Sequence, residues 1–338
     1  MLCLLARHTL GVAATLTVAA AMVAPAGAQT TSPVADHGAL SVSGNHIVDS
    51  HVKPVALAGV SFFWSNTGWG EEKFYNADAV GHFAKDWHVS LVRAAMGADF
   101  GGDYLTDPAA NQARAETVID AAIANGIYVL IDWHSHHAEQ NPQAAATFFT
   151  AMAQKYGTTP NVIYEIYNEP LNTDTWSGGV KPYAETVVAA IRAVDPDNLI
   201  VVGSPTWSQD VDIAAADPIK ATNIAYTLHF YAGSHKQELR TKANKAMALG
   251  VPLFVTEWGT VNANGNGGVD AAETYKWQSY MQAHCLSQAN WSVSDKPESA
   301  SLFKPGASPT GPWSDADLTP SGKLVRDIVM KASTTTCQ

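Results

Sequence analysis

The chain has 338 residues, 46% of them hydrophobic, and a formal net charge of −11. That length is ample for a large core, and the negative balance disfavours nucleic acid and anionic membranes as partners. The ten tryptophans are a larger share than most soluble domains carry, so some of them are expected to form working surfaces.

Residues 1–28 read as a secretory signal. Arg7 and His8 make a basic start, Leu10 to Val23 is an apolar run, and Ala26-Gly27-Ala28 fits a small-residue cleavage site. The run is too short and too poorly flanked for a transmembrane anchor. Residues 29–338 are then expected to form one exported domain, extracellular or periplasmic, and a monomer. Leu40-Ser41-Val42 and His46-Ile47-Val48 flank Gly44-Asn45 as a short hairpin, expected to plug one end of the fold. Eight apolar runs follow as strands: 55–64, 89–96, 128–135, 162–169, 199–204, 223–231, 252–259 and 289–294. Between them lie helix-like segments at 108–125, 141–156, 182–194, 234–249 and 270–288, several stopping at glycine. Apolar strands that alternate with helices imply a parallel sheet. Eight such units imply a closed (β/α)8 TIM barrel of α/β class, with a short N-terminal β-hairpin. An open doubly wound sheet would not usually have eight regular units. Cys285 and Cys337 would sit in an oxidising compartment, and the sequence leaves their pairing open.

In such a barrel, ligands bind at the C-terminal ends of the strands. Those ends carry Arg93, His134, Asn168 and Glu169, His229 and Tyr231, Glu257, and Trp291, while the fifth strand leads to Trp207. Two strand-end glutamates, on the fourth and seventh strands, suggest glycosidic bond cleavage. One must be protonated to assist the leaving oxygen and the other ionised to attack the anomeric carbon. A cation favours the ionised form of a carboxylate beside it, so Arg93 should accompany the nucleophile. The spacing does not say which glutamate that is. Glu165, deeper on the fourth strand, reads as a hydrogen-bonded core acid, and Trp87 and Trp277 as core.

Metal readings are weaker. His134, His136 and His137 would need further His and Asp ligands from other strand ends, and only His229 is an obvious candidate. No metal and no cofactor is therefore expected, and His136 and His137 read as loop residues. Asn262 to Glu273 has the spacing of a calcium loop but too little charge; Asp270 and Glu273 fit a helix N-cap and its N3 partner instead.

Tyr164-Glu165-Ile166-Tyr167-Asn168-Glu169-Pro170 resembles the acid/base motif of glycoside hydrolase family 5, and Thr256-Glu257-Trp258-Gly259 resembles its nucleophile motif. The resemblance runs from Gly59-Val60-Ser61 to Pro305-Gly306. It looks closest to the bacterial endoglucanase subfamily through Trp64-Ser65, Ser204 to Asp210, and Trp291 to Ser299. It implies a retaining endo-β-1,4-glucanase, with Glu169 as acid/base and Glu257 as nucleophile. Asn168 would bond the sugar 2-hydroxyl, Arg93 and Tyr231 would hold Glu257, and His134 and His229 would orient hydroxyls and carboxylates. Trp291 would stack on the sugar being cleaved, with Trp64 and Trp207 as platforms. Lys296 and Glu298 would bond sugars on the non-reducing side. The chain departs from the family at Gly97-Ala98-Asp99, where many relatives place an aromatic residue. The alternatives are the same mechanism on mannan, xylan or mixed-linkage glucan, and a carbohydrate-binding barrel that has lost catalysis.

Overall fold

The computed structural model describes residues 31–332 and residue 337. The expected signal segment lies outside them. The hairpin forms as β1 (Ser41–Ser43) and β2 (His46–Val48), paired antiparallel. Eight strands then close a parallel barrel: β3 (Ala58–Phe62), β4 (Leu91–Gly97), β5 (Tyr128–His134), β6 (Val162–Glu165), β7 (Ile200–Val202), β8 (Ile224–Tyr231), β9 (Leu253–Gly259) and β10 (Gln288–Val293). Each pairs with its neighbour in chain order, and β10 closes on β3. All eight are buried along their whole length, which is why they read as unbroken apolar runs rather than alternating ones.

Several elements are shorter than the sequence suggested. The fourth barrel strand stops at Glu165, four residues early. Beyond it the chain stays tied to its neighbours by single bonds, Asn168 N to Trp133 O and Glu169 N to Ser135 O. The segment 270–288 splits, because Cys285 adopts a left-handed backbone that ends the helix Ala271–His284. Asp270 caps that helix through Glu273 N at 3.0 Å. The reciprocal half of the box is missing, since Glu273 turns to Arg240 at 2.6 Å. Those bonds commit Asp270 to the helix start and Glu273 to Arg240. Helices at Ala77–Asp86 and Pro320–Ala332 add to those expected.

The barrel has two unlike ends. At the bottom, Leu40 and Ile47 pack with Val55, Leu57, Leu91, Leu130, Ile163, Val201 and Phe254 in an apolar plug. The hairpin thus covers that end, as expected. Cys285 and Cys337 form a disulfide that ties the tail to the end of a helix. Trp87 and Trp277 are core.

Candidate active site

Along each strand, side chains alternate between the barrel interior and the helix layer. The residues two positions past the bottom plug therefore also face inward. Leu91 leads to Arg93, Leu130 to Asp132 and His134, and Ile163 to Glu165. Ala225 leads to Thr227, His229 and Tyr231, and Phe254 to Thr256. By this count Glu257 should face outward. It does not, because the β8–β9 register shifts between Thr227–Phe254 and His229–Glu257. Such a bulge re-aims one side chain, and here it brings Thr256 and Glu257 into the interior together.

Arg93 is the fully buried centre of this layer. Its Nε and Nη2 grip Glu165 at 2.7 and 3.0 Å. Nη2 also reaches Asn168 Oδ1 at 2.7 Å and Asp132 at 3.0 Å. Nη1 donates to Glu257 Oε2 at 3.0 Å. Burial opposes its charge, but Asp132, Glu165 and Glu257 together raise its pKa. Burial raises Glu165 as well, but Arg93 and His229 together outweigh it and hold that carboxyl below the ordinary range. Glu165 is thus the hydrogen-bonded core acid expected, placed one layer beneath the cleft.

Glu257 takes a second donor, Tyr231 OH, at 2.7 Å from Oε1. Burial pushes its carboxyl up; His229, Arg93 and Tyr231 oppose this, the charge of Glu169 adds to it, and the balance is a raised pKa. Glu169 has a different partner, His229 Nδ1, at 2.9 Å. The other nitrogen, Nε2, lies 2.9 Å from Thr256 Oγ1. That hydroxyl donates to Glu165 at 2.7 Å, so it must accept from His229, and Nε2 carries a proton. A hydrogen bond between Nδ1 and Glu169 needs a further proton on one of the two. Burial lowers His229, but the bonds to Glu165 and Glu169 lift it to about 9. Burial would raise Glu169, but the bond to His229 and the charges of His229, His136 and Arg93 together bring it below the ordinary range. Both shifts favour the proton on the imidazole over Glu169.

The remaining predicted residues line one cleft of about 680 Å³ with Glu169 and Glu257: Trp64, His134, Asn168, Trp207, His229, Tyr231, Trp291, Lys296 and Glu298. Arg93 lies beneath it. Asn168 spends its carbonyl on Arg93, so its amide nitrogen, without a partner among the described residues, is left for a ligand. His134 accepts or donates at Asp132 at 2.6 Å, and Trp291 stacks on it at 5.0 Å. Burial and the charge of Arg93 push the His134 pKa well down. Lys296 and Glu298 pair at 2.8 Å. Trp207 sits on a turn whose residues Thr206, Trp207 and Ser208 all have left-handed φ of 53–58°. That costly backbone is clamped to the loop carrying Glu169, by Trp207 N to Pro170 O at 2.8 Å and Ser208 Oγ to Asn168 O at 2.7 Å.

Sequence reasoning missed several neighbours. His136 is no bland loop residue: it lines the cleft, with Nδ1 3.6 Å from Glu169 Oε2. His137 does stay in the loop, against Asp99. Phe63, Gln209, His235 and the Ala263–Gly265 loop also line the cleft. The glycine that departs from the family pattern has a steric reason. A Cβ on Gly97 would lie 1.8 Å from Asn66 Oδ1 and 3.4 Å from the Trp64 ring. Asn66 occupies that ground beside Trp64, and Phe100, 59% exposed, packs against Trp64 at 5.4 Å.

Glu169, His229 and Glu257 each bring one possible ligand atom within 4.8 Å of the others. Both nitrogens of His229 and both oxygens of Glu257 are already engaged, which makes the trio a poor cation cage.

The family model for cellulase, glycosyl hydrolase family 5, matches residues 48–297. Endoglucanase Z of Dickeya dadantii is 57% identical over 290 residues, 86% of this chain, and an endoglucanase of Clostridium saccharobutylicum is 44% identical over 302 residues, 88% of this chain. The chain spans just under two thirds of these relatives, 66% of each. Among solved structures, a Cytophaga hutchinsonii protein superposes with a TM-score of 0.87 at 51% identity, covering 90% of this chain and 98% of that one. The catalytic domain of Thermobifida fusca endoglucanase Cel5A gives 0.83 at 34% identity, covering 88% and 99%. A variant of that domain, equally similar, was solved in complex with cellotetraose. A barrel of this topology, two facing glutamates and a family match over most of its length place the chain in glycosyl hydrolase family 5.

Proposed function

We propose that this protein is an exported endo-β-1,4-glucanase that cleaves internal bonds of soluble β-glucans with retention of configuration. The observation that carries the mechanism is the spacing of the two acids. An oxygen of Glu169 and an oxygen of Glu257 lie within 4.8 Å. Retaining enzymes hold their carboxyl groups about 5–5.5 Å apart, whereas inverting ones leave about 6.5–9.5 Å for a water. The names of the relatives and the cellotetraose complex favour a β-1,4-glucan. Export is supported by the signal-like residues 1–28 and by the Cys285–Cys337 disulfide, which suits an oxidising compartment. Among the described residues no helix is long and apolar enough to cross a membrane.

Glu257, steadied by Arg93 and Tyr231, attacks the anomeric carbon. Glu169 gives the leaving oxygen a proton, drawn from the shared site with His229. The freed Asn168 amide donates to the 2-hydroxyl, and Trp291 stacks on the sugar ring. Water then enters beside Glu169, which takes its proton as the bond to Glu257 breaks. Trp64 and Trp207 are sugar platforms along the cleft, and Lys296 and Glu298 bond sugars on the non-reducing side. The test is release of reducing ends from a soluble β-1,4-glucan by the wild type, Glu169→Gln and Glu257→Gln. Each variant should lose about 100-fold or more; full activity in either would sink the assignment.

A further inference from the structure

His235 is an imidazole of the cleft that the proposed mechanism does not use and whose tautomer the fold fixes. It follows β8 in the same turn as Tyr231. The Tyr231 backbone N–H donates to His235 Nδ1 at 2.9 Å, so Nδ1 is an acceptor and the ring proton sits on Nε2. Burial lowers the pKa of this histidine, which keeps it neutral. Nε2 has no partner among the described residues, and the side chain lines the cleft. The backbone on which it stands is pinned. His235 N donates to Tyr231 O at 2.8 Å, and His235 O accepts from Trp277 Nε1 at 2.9 Å. Trp277 is itself stacked on Phe230 at 4.0 Å. The result is a neutral donor held in place before any ligand arrives.

Its position says which sugar it meets. Barrel order runs β6, β7, β8, so the loops bearing Glu169, Trp207 with Gln209, and His235 form one continuous wall. Phe63, Trp291, Lys296 and Glu298 come from β3 and β10, on the other side. Glu169 is the proton donor in the proposed reaction, so its wall faces the departing sugar. We propose that His235 Nε2 donates a hydrogen bond to a hydroxyl of the leaving-group sugar beside Trp207, and so selects glucan over other leaving groups. This rests on the glucanase reading.

The experiment compares kcat/KM for cellotetraose, whose leaving group is always a sugar, with that for an aryl cellobioside, whose leaving group is not. His235→Asn keeps an acceptor for the Tyr231 N–H but removes the donor at the Nε2 position; His235→Gln restores a donor at that reach. In His235→Asn the ratio of the two values should shift about 3- to 10-fold against cellotetraose, the size of one neutral hydrogen bond, and His235→Gln should recover most of it. An unchanged ratio, whether both values fall together or neither moves, would overturn the inference. Silence of the wild type on both substrates would overturn the glucanase reading itself, and the inference with it.

Discussion

The two halves of the cleft hold their carboxylates in opposite ways. On the β9 side, Glu257 is clasped by two fixed donors, Arg93 and Tyr231, and has nowhere to move a proton. On the β6–β8 side, Glu169 bonds the His229 imidazole, a group able to hold a proton one hydrogen bond away, with the His136 imidazole 3.6 Å off. One half is built to present an anion and the other to exchange a proton. The difference comes from partners rather than from burial, since both carboxyls are raised by desolvation to begin with.

The largest way to break this contrast is to remove its common support. Arg93→Met would leave Asp132, Glu165 and Glu257 in the interior without their cation. Losing one partner of a buried pair costs about 3–5 kcal/mol, so urea unfolding should show a loss of that order along with loss of turnover. Retention of full stability would mean the guanidinium is not what holds the three acids.

A change at His229 acts on one half only. The active protonation state has Glu257 ionised and one proton on the Glu169–His229 pair. As pH falls, activity is lost when Glu257 protonates, at a pH above that of an ordinary carboxylate because its pKa is raised. As pH rises, activity is lost when the pair gives up its proton, near 9. His229→Gln should bring the alkaline limb of the kcat/KM profile down by more than one pH unit and move the acid limb less. An alkaline limb that stays near 9 would show that the proton is kept elsewhere.

Tyr231→Phe is the mildest of the three. It removes one of the two donors to Glu257 and leaves the other half intact. A hydrogen bond to a charged group contributes about 1.5–3 kcal/mol, so kcat/KM should fall about 10- to 100-fold with the alkaline limb unmoved. A shift of that limb would show that the two halves are not separable in this way.

Much of this was legible before any coordinates. Glu169 and Glu257 stand out because each closes an apolar strand-like run where a core would want no charge, and Arg93 because it is a cation on an early strand. The barrel follows from eight such runs. What escaped detection depends on long-range register or on loop paths. Nothing in Thr256-Glu257 announces the bulge that turns both residues inward. The chain from Arg93 through Glu165 and Thr256 to His229 joins four strands and has no local pattern. His136 and His235 sit in loops, where direction is set by a few backbone bonds rather than by periodicity. The stretch Gly97-Ala98-Asp99 looked like a missing aromatic, and at Gly97 the space is instead filled by Asn66.

The central claim is that Glu257 attacks and Glu169 shuttles the proton, so that configuration is kept. Proton NMR of the first products released from cellopentaose tests it most directly, read before mutarotation mixes the anomers. The account predicts that the new reducing end appears first as the β-anomer; initial appearance of the α-anomer would contradict it.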